Sequence, residues 1–287
     1  MELYRYFSSH VFQTLNENQL MLAKPSTLND PFEACFNYKN KPTESTFRKI
    51  LRKQLTTYAS YLEHKKQFPN EIKNKNDYKE HCRNNLEAYA KSYYEEYLKN
   101  PNAEVIRFKE IQDWTLRVSC FTATSTKPEK EVLMWSHYAN KHQGFRIKFE
   151  LPENNGKFFI KKINYKERKT EIDSLAQLDI VTKNTHMKIL TTKSSIWEYE
   201  NEYRMFFPYT LDGHYIVKKG VDDKFRSYCP IESNQVLAVD FGLNCKESEI
   251  SKIVNLIKNR KDYNHVKLRR AAYHPTDYAL QYEAIRV

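Results

Sequence analysis

L-Y-R-Y-F-S-S-H-V-F-Q-T-L-N-E-N-Q-L-M-L-A, residues Leu3–Ala23, changes its period twice in twenty-one positions, and the architecture follows from those changes. Leu3–Phe7 alternates at a period of two and is compatible with a strand. Ser8 or Ser9 can cap a short helix carrying Val11, Phe12 and Leu15. Gln19–Ala23 then reads as a second short strand, closed by the turn-forming Pro25–Asn29. A strand–helix–strand unit at this position predicts an α+β protein, with a mixed, mostly antiparallel sheet core and flanking helices.

From about Pro42 to Trp114 the character of the chain changes. Phe47–Phe68 and Tyr78–Lys99 are long, charged and roughly helical in period, with Ile50, Leu51, Leu55, Tyr58 and Leu62 as an apolar stripe. Pro69–Asn76 separates them. The pattern predicts an antiparallel helical pair at about residues 43–114, inserted into one α/β domain spanning 1–287. The core pattern resumes with strands at Leu116–Thr122, Gly144–Leu151 and Phe158–Tyr165, and with helices at Glu129–His142 and Glu171–Lys188. Glu202–Pro208 and Gln235–Phe241 read as strands, Glu247–Arg260 as an amphipathic helix, and Val266–Tyr273 and Tyr278–Ile285 as the strands that close the sheet.

The composition suits a folded, water-facing protein: 40% of the 287 residues are hydrophobic and 29% charged. With 5 glycines and 10 prolines, no stretch reads as a flexible linker, while 21 tyrosines and 16 phenylalanines can fill a core and present hydroxyls at a cleft. The net charge of +11 favours acidic partners, nucleic acid or a nucleotide-bearing molecule among them. The local surplus is greatest near the C-terminus, in the stretch that holds Lys267, Arg269 and Arg270. The 5 cysteines are odd in number with no C-x-x-C pair, which speaks against a disulfide framework or a zinc knuckle. No metal is expected. Charged Glu2 and Arg5 directly after Met1, and no apolar run of membrane-spanning length, predict a cytoplasmic protein without a membrane partner.

Four blocks set ionisable groups among large apolar ones: Leu3–Tyr6, Asn29–Glu33 (N-D-P-F-E), Met134–Tyr138 (M-W-S-H-Y) and Glu200–Arg204 (E-N-E-Y-R). Burying an unpartnered polar group costs roughly 2–7 kcal/mol, so the blocks are expected to meet and satisfy one another. Arg5 is either a surface residue or a cleft guanidinium able to fork onto phosphate or carboxylate. In Asn29–Glu33, Pro31 forces Asp30 out of the helical region. The block is then either a rigid cap, or Asp30 or Glu33 orients an arginine or a ligand hydroxyl. Trp135 and Tyr138 share a helix face, which reads first as core packing, whereas Ser136 and His137 lie off that face, with His137 a general-base candidate. Glu200 and Glu202 are two apart and face one way with Arg204. Their mutual repulsion raises the pKa of one unless a cation sits between them. Gly-rich dinucleotide and phosphate-binding loops are absent.

Taken in order, L-Y-R-Y, N-D-P-F-E, M-W-S-H-Y-A-N-x-H-x-G and W-x-Y-E-x-E-Y-R resemble a bacterial family known as a domain of unknown function, over about Leu3 to Arg204. That resemblance implies a loose association with phage-defence and toxin-like settings, where a neutralising or defence-system partner protein is expected. The chain is also similar to the arginine class of ADP-ribosyltransferases in having Arg5, then Ser119-Cys120-Phe121-Thr122, then Glu200-Asn201-Glu202. This second resemblance implies an NAD-consuming transferase or glycohydrolase, with NAD as substrate. It places Arg5, Tyr6, Ser119 and Tyr138 around NAD, with Ser119 bracing the catalytic carboxylate. Glu202 would bind the ribose and stabilise an oxocarbenium, and Glu200 would assist the acceptor. The alternatives are a non-catalytic nucleic-acid- or protein-binding module, in which these residues form a structural network, and a metal-dependent nuclease using Asp30, Glu33, Glu200 and Glu202. The nuclease is disfavoured by the lack of an accompanying lysine.

Overall fold

A computed structural model describes residues 1–8, 11–56, 58–124, 129–173, 183–208, 216–219 and 225–285. Along the chain the elements run β1 (Glu2–Phe7), α1 (Val11–Glu17), β2 (Gln19–Leu22), β3 (Phe36–Tyr38), α2 (Glu44–Gln54), α3 (Tyr58–Gln67), α4 (Lys75–Lys99) and α5 (Ala103–Thr115). There follow β4 (Leu116–Thr122), α6 (Glu129–Tyr138), β5 (Phe145–Glu150), β6 (Phe159–Lys162), β7 (Asn164–Lys166), β8 (Thr170–Ile172) and α7 (Lys183–Leu190). The last stretch holds β9 (Thr192–Ser194), β10 (Glu202–Pro208), β11 (Ile216–Lys219), β12 (Phe225–Pro230), β13 (Val236–Phe241), α8 (Glu247–Lys258), β14 (Lys267–Tyr273) and β15 (Leu280–Ala284). Two compact units divide these elements: Met1–Glu33, Ile111–Glu167 and Thr191–Val287 form the first, and Ala34–Glu110 with Arg168–Leu190 the second.

The first unit is built on an eight-stranded sheet of order β15-β14-β13-β5-β1-β4-β10-β6. It is mostly antiparallel, as the α+β reading predicts, with β13 and β14 as a parallel pair. Strand β1 sits near the middle because both of its faces are used. Leu3 and Phe7 enter the core with Phe121, Phe149 and Met205, while Tyr4 and Tyr6 face the other way. Helix α8 covers part of the core through Ile250, Ile253, Leu256 and Ile257, spaced to share one helical face. Its acidic first turn (Glu247, Glu249) and Lys258 in the last turn suit the helix dipole.

Two glycines hold this sheet to the segment that follows α6. The helix predicted to reach His142 ends at Tyr138, because Asn140, Lys141 and His142 all take positive φ. The turn brings carbonyls close to backbone. A Cβ at Gly144 would lie 2.1 Å from the Phe7 carbonyl oxygen, and one at Gly242 equally near that of His142. Neither position admits a side chain.

In the second unit the predicted helix Phe47–Phe68 is two helices, α2 and α3. β-branched Thr56, after the end of α2, is a poor helix former. Helix α4 starts earlier than its apolar pattern, at Lys75, where Asn74 and Asp77 form a reciprocal capping box. Helix α5 was not anticipated as a separate element. The predicted helix Glu171–Lys188 also divides: Thr170–Ile172 is a strand parallel to β3, α7 runs over Lys183–Leu190, and residues 174–182 lie outside the described set, as does Ser9. No described helix is long and apolar enough to cross a membrane.

Candidate active site

A fork in the main sheet creates the site. Strand β4 pairs with β10 along its whole length, from Thr122 opposite Glu202 to Leu116 opposite Pro208. With β1 it shares a single register pair, Tyr4 with Thr122. Further along, β4 turns to β2, where Ala23 and Val118 exchange backbone hydrogen bonds of 2.7 and 2.9 Å. The backbone from Ser119 to Phe121 is thereby parted from β1. A cavity of about 250 Å³ lies there, with Arg5, Ser119, Glu200, Glu202, Lys193 and Tyr138 on its walls.

Five charged side chains form one chain of contacts. Glu33 grips Arg204 with both oxygens, 2.6 Å to Nη1 and 3.2 Å to Nη2. Arg204 Nε donates to Glu202 Oε1 at 2.9 Å. The other oxygen of Glu202 takes Lys193 Nζ at 3.2 Å, and the same ammonium reaches Glu200 Oε2 at 2.5 Å. Glu200 Oε1 accepts from the Tyr138 hydroxyl, which accepts in turn from Asn29 Nδ2. The Glu202 amide is anchored by donation to Tyr165 Oη at 2.8 Å.

Lys193 is the cation that the spacing of the two glutamates required. Burial works against charge on Glu202, but Arg204 and Lys193 outweigh it and hold the carboxyl down at about 2. Glu200 moves the other way: burial and the neighbouring Glu202 raise it above its ordinary value in spite of Lys193. Lys193 is itself raised, because its two carboxylates more than offset the cost of burying it. The backbone between the glutamates turns through Asn201 at φ 44°, a conformation that asparagine tolerates better than most residues, so both carboxyls reach one ammonium.

Arg5 is different in kind. Its Nη1 donates to Met21 O at 2.9 Å and to Ser119 Oγ at 2.6 Å. It forms no ion pair with a carboxylate among the described residues, and burial lowers its pKa. A guanidinium with spare donors on a cavity wall is a place for an anion.

Strand parity corrects the role expected of Ser119. Residues directly opposed on antiparallel strands share a face, and Ser119 is opposite Met205 whereas Glu202 is opposite Thr122. Ser119 therefore meets Arg5 on one face and cannot brace Glu202 on the other. Cys120 is the neighbour that hydrogen-bonds Glu202, and burial followed by that carboxylate raises its thiol pKa.

The remaining candidates separate. Tyr6 lines the cavity, but its hydroxyl accepts from Arg146 Nη1 at 3.3 Å, and burial raises its pKa to about 12. Trp135 is fully buried, edge-on to Tyr6, and donates from Nε1 to the Tyr282 hydroxyl at 2.9 Å, so it belongs to the packing behind the cavity. His137 is exposed and pairs with Tyr199 Oη at 2.9 Å, away from the cavity wall. Asp30 caps its own turn by accepting from Phe32 N at 2.9 Å, and Glu33 serves Arg204. Lys193, Cys120 and Tyr165 were missed. Lys193 stands in T-T-K-S-S, seven residues before Glu200 and nine before Glu202, a spacing that matches neither a strand nor a helix face shared with both of them, and it is held in β9 by parallel pairing with β7. No group of side chains suited to a metal occurs among the described residues. The basic C-terminal stretch is partly neutralised internally, since Arg269 pairs with Asp240 and Arg270 with Glu247.

The site thus belongs to an α+β protein with a forked, mostly antiparallel sheet. Residues 134–205, which carry M-W-S-H-Y and E-N-E-Y-R, match a family described as "Protein of unknown function (DUF2971)". No curated protein and no solved structure matches the chain.

Proposed function

We propose that the cavity takes the nicotinamide–ribose end of NAD and that the protein is an NAD-consuming, ADP-ribosyltransferase-like enzyme. One observation carries this reading: an ionised carboxylate, Glu202, and a guanidinium lacking a carboxylate partner, Arg5, stand on the walls of one cavity. Its volume of about 250 Å³ falls just below the usual range for a whole ligand of roughly 300–1,000 Å³, which suits one end of a dinucleotide. Arg5, Ser119 and Glu202 also come from three adjacent strands, β1, β4 and β10.

The chemistry needs little more. The bond between ribose C1′ and the nicotinamide nitrogen breaks with its electron pair leaving on nicotinamide. Glu202 stabilises the positive charge that develops on the ribose, a fixed charge that requires no reorganisation. Water or an acceptor nucleophile adds at C1′, and its proton passes to Glu200, whose pKa burial and Glu202 raise above the ordinary carboxylate value. Arg5 takes a phosphate oxygen. The net charge of +11 would draw a nucleic-acid or nucleotide-bearing acceptor, as befits a toxin or phage-defence effector held in check by a partner protein.

A second reading has its own support. Glu202 is 3% exposed and Arg204 1%, and their contacts with Glu33 and Lys193 form a closed set, as in a structural network within a binding module. Incubating the purified full chain with NAD separates the two. The transferase reading expects free nicotinamide, with release abolished in Glu202→Gln while circular dichroism stays native. Absence of nicotinamide from the native wild-type protein, with or without nucleic acid, would leave the structural reading standing.

A further inference from the structure

Helix α4 carries two parallel columns in the second unit. Lys75, Lys79 and Arg83 recur every four residues, and Tyr78, Cys82 and Leu86 recur alongside them. The second column turns inward. Tyr78 and Cys82 are buried in the unit's core with Leu51 and Leu55, and Leu86 packs against it. Between α4 and the end of α2 lies a cavity of about 490 Å³, well inside the range of small-molecule sites.

Its walls divide by chemistry. Leu55, Tyr78, Cys82 and Leu86 give an apolar floor. Arg52, Lys75, Lys79 and Arg83 line the same cavity, against one carboxylate-bearing residue, Glu87. That carboxylate is drawn away by Arg48, 2.5 Å from its Oε2. Arg52, Lys79 and Arg83 are exposed and form no ion pair among the described residues. Arg52, Lys79 and Arg83 around that floor, with Glu87 held by Arg48, leave the rim positive.

We infer that this cavity binds a free, single-chain anionic amphiphile, with an acyl-like body on the floor and a carboxylate head among Arg52, Lys79 and Arg83. The apolar body supplies most of the affinity by leaving water. The head supplies selectivity, because a neutral or cationic head gains nothing from the rim and a cation is repelled by it. This is a different place from the forked-sheet cavity and does not depend on NAD binding there.

Calorimetric titration of the full chain with sodium decanoate, below micelle formation, tests the inference. The matched probes are methyl decanoate and decyltrimethylammonium, which keep the body and change the head. Saturable binding of one decanoate per chain is expected, about tenfold or more tighter than either probe. Lys79→Glu with Arg83→Glu, both on the surface, should weaken decanoate at least about tenfold and leave circular dichroism unchanged. Leu86→Trp, which fills the floor, should abolish it. The inference is overturned by non-saturable uptake, by decyltrimethylammonium binding as tightly as decanoate, or by an affinity that ignores the charge reversal.

Discussion

Two buried charge networks lie on the same face of one sheet, and they are built to different ends. Around Arg146, a row crosses four adjacent strands: Arg269, Asp240, Arg146 and Tyr6 stand opposite one another on β14, β13, β5 and β1. Arg146 donates to Asp240 and Glu131 at 2.8 Å each and lies over the rings of Tyr4 and Tyr282 at 4.4 and 4.3 Å. Every side of that guanidinium is taken. Across Tyr4 and Tyr6 is the other network, with Arg204, Glu202, Lys193 and Glu200 equally paired but set against a cavity. It also has a charged neighbour, Arg5, reaching the cavity from the opposite face. Pairing alone therefore does not distinguish scaffold from site. An opening and an uncompensated charge do.

The largest effects should come from breaking either network at its hub. Asp240→Ala strips Arg269 of its carboxylate and leaves Arg146 with Glu131 alone, and Arg204→Met strips Glu33 of its guanidinium and leaves Glu202 with Lys193 alone. Each should cost about 3–5 kcal/mol in denaturant unfolding. The comparison sharpens if the Asp240 variant, while still folded, keeps its nicotinamide release and the Arg204 variant loses it.

Glu202→Gln should remove turnover, by a factor on the order of 10²–10³ or more, and lower stability by about 3 kcal/mol at pH 7. The pH dependence has a definite sign. The folded carboxyl titrates at about 2 against an ordinary 4.5, so its contribution is complete above 4.5 and is lost as pH falls towards 2. Unfolding curves of wild type and Glu202→Gln should therefore converge across that interval. A constant difference would mean that Glu202 is not held ionised by Lys193 and Arg204.

Gly242→Ala should cost about 1–3 kcal/mol, since its Cβ would meet the His142 carbonyl oxygen at 2.1 Å. Thermal unfolding reads this out. Near the bottom of the scale is Arg270→Ala, whose pairing with Glu247 is exposed and worth less than about 1 kcal/mol.

Much of this was legible in the chain because period-two and period-3.6 patterns survive wherever one face is buried. Leu3–Phe7, Leu116–Thr122, Val236–Phe241 and Glu247–Lys258 lie where their periodicity put them. The helix predicted over Glu171–Lys188 did not hold, since Thr170–Ile172 pairs with β3 and pairing partners leave no local mark. At the site, Arg5, Glu200 and Glu202 were legible as charges among apolar residues. Lys193 was not, because a lysine among threonines and serines looks like any solvated loop residue. Ser119 was misread for a related reason. Its face depends on register with β10, and a shift of one residue exchanges Ser119 for Cys120.

Equilibrium titration of NAD into Glu202→Gln, and into the same variant carrying Arg5→Ala, tests most directly whether the two groups serve one ligand. Arg5 leaves no carboxylate unpaired when it is removed, so the second change should spare the fold. Saturable binding to the single variant, weakened about ten- to hundredfold in the double one, is the predicted result. Equal affinities in the two proteins, or no saturation in either, would contradict it.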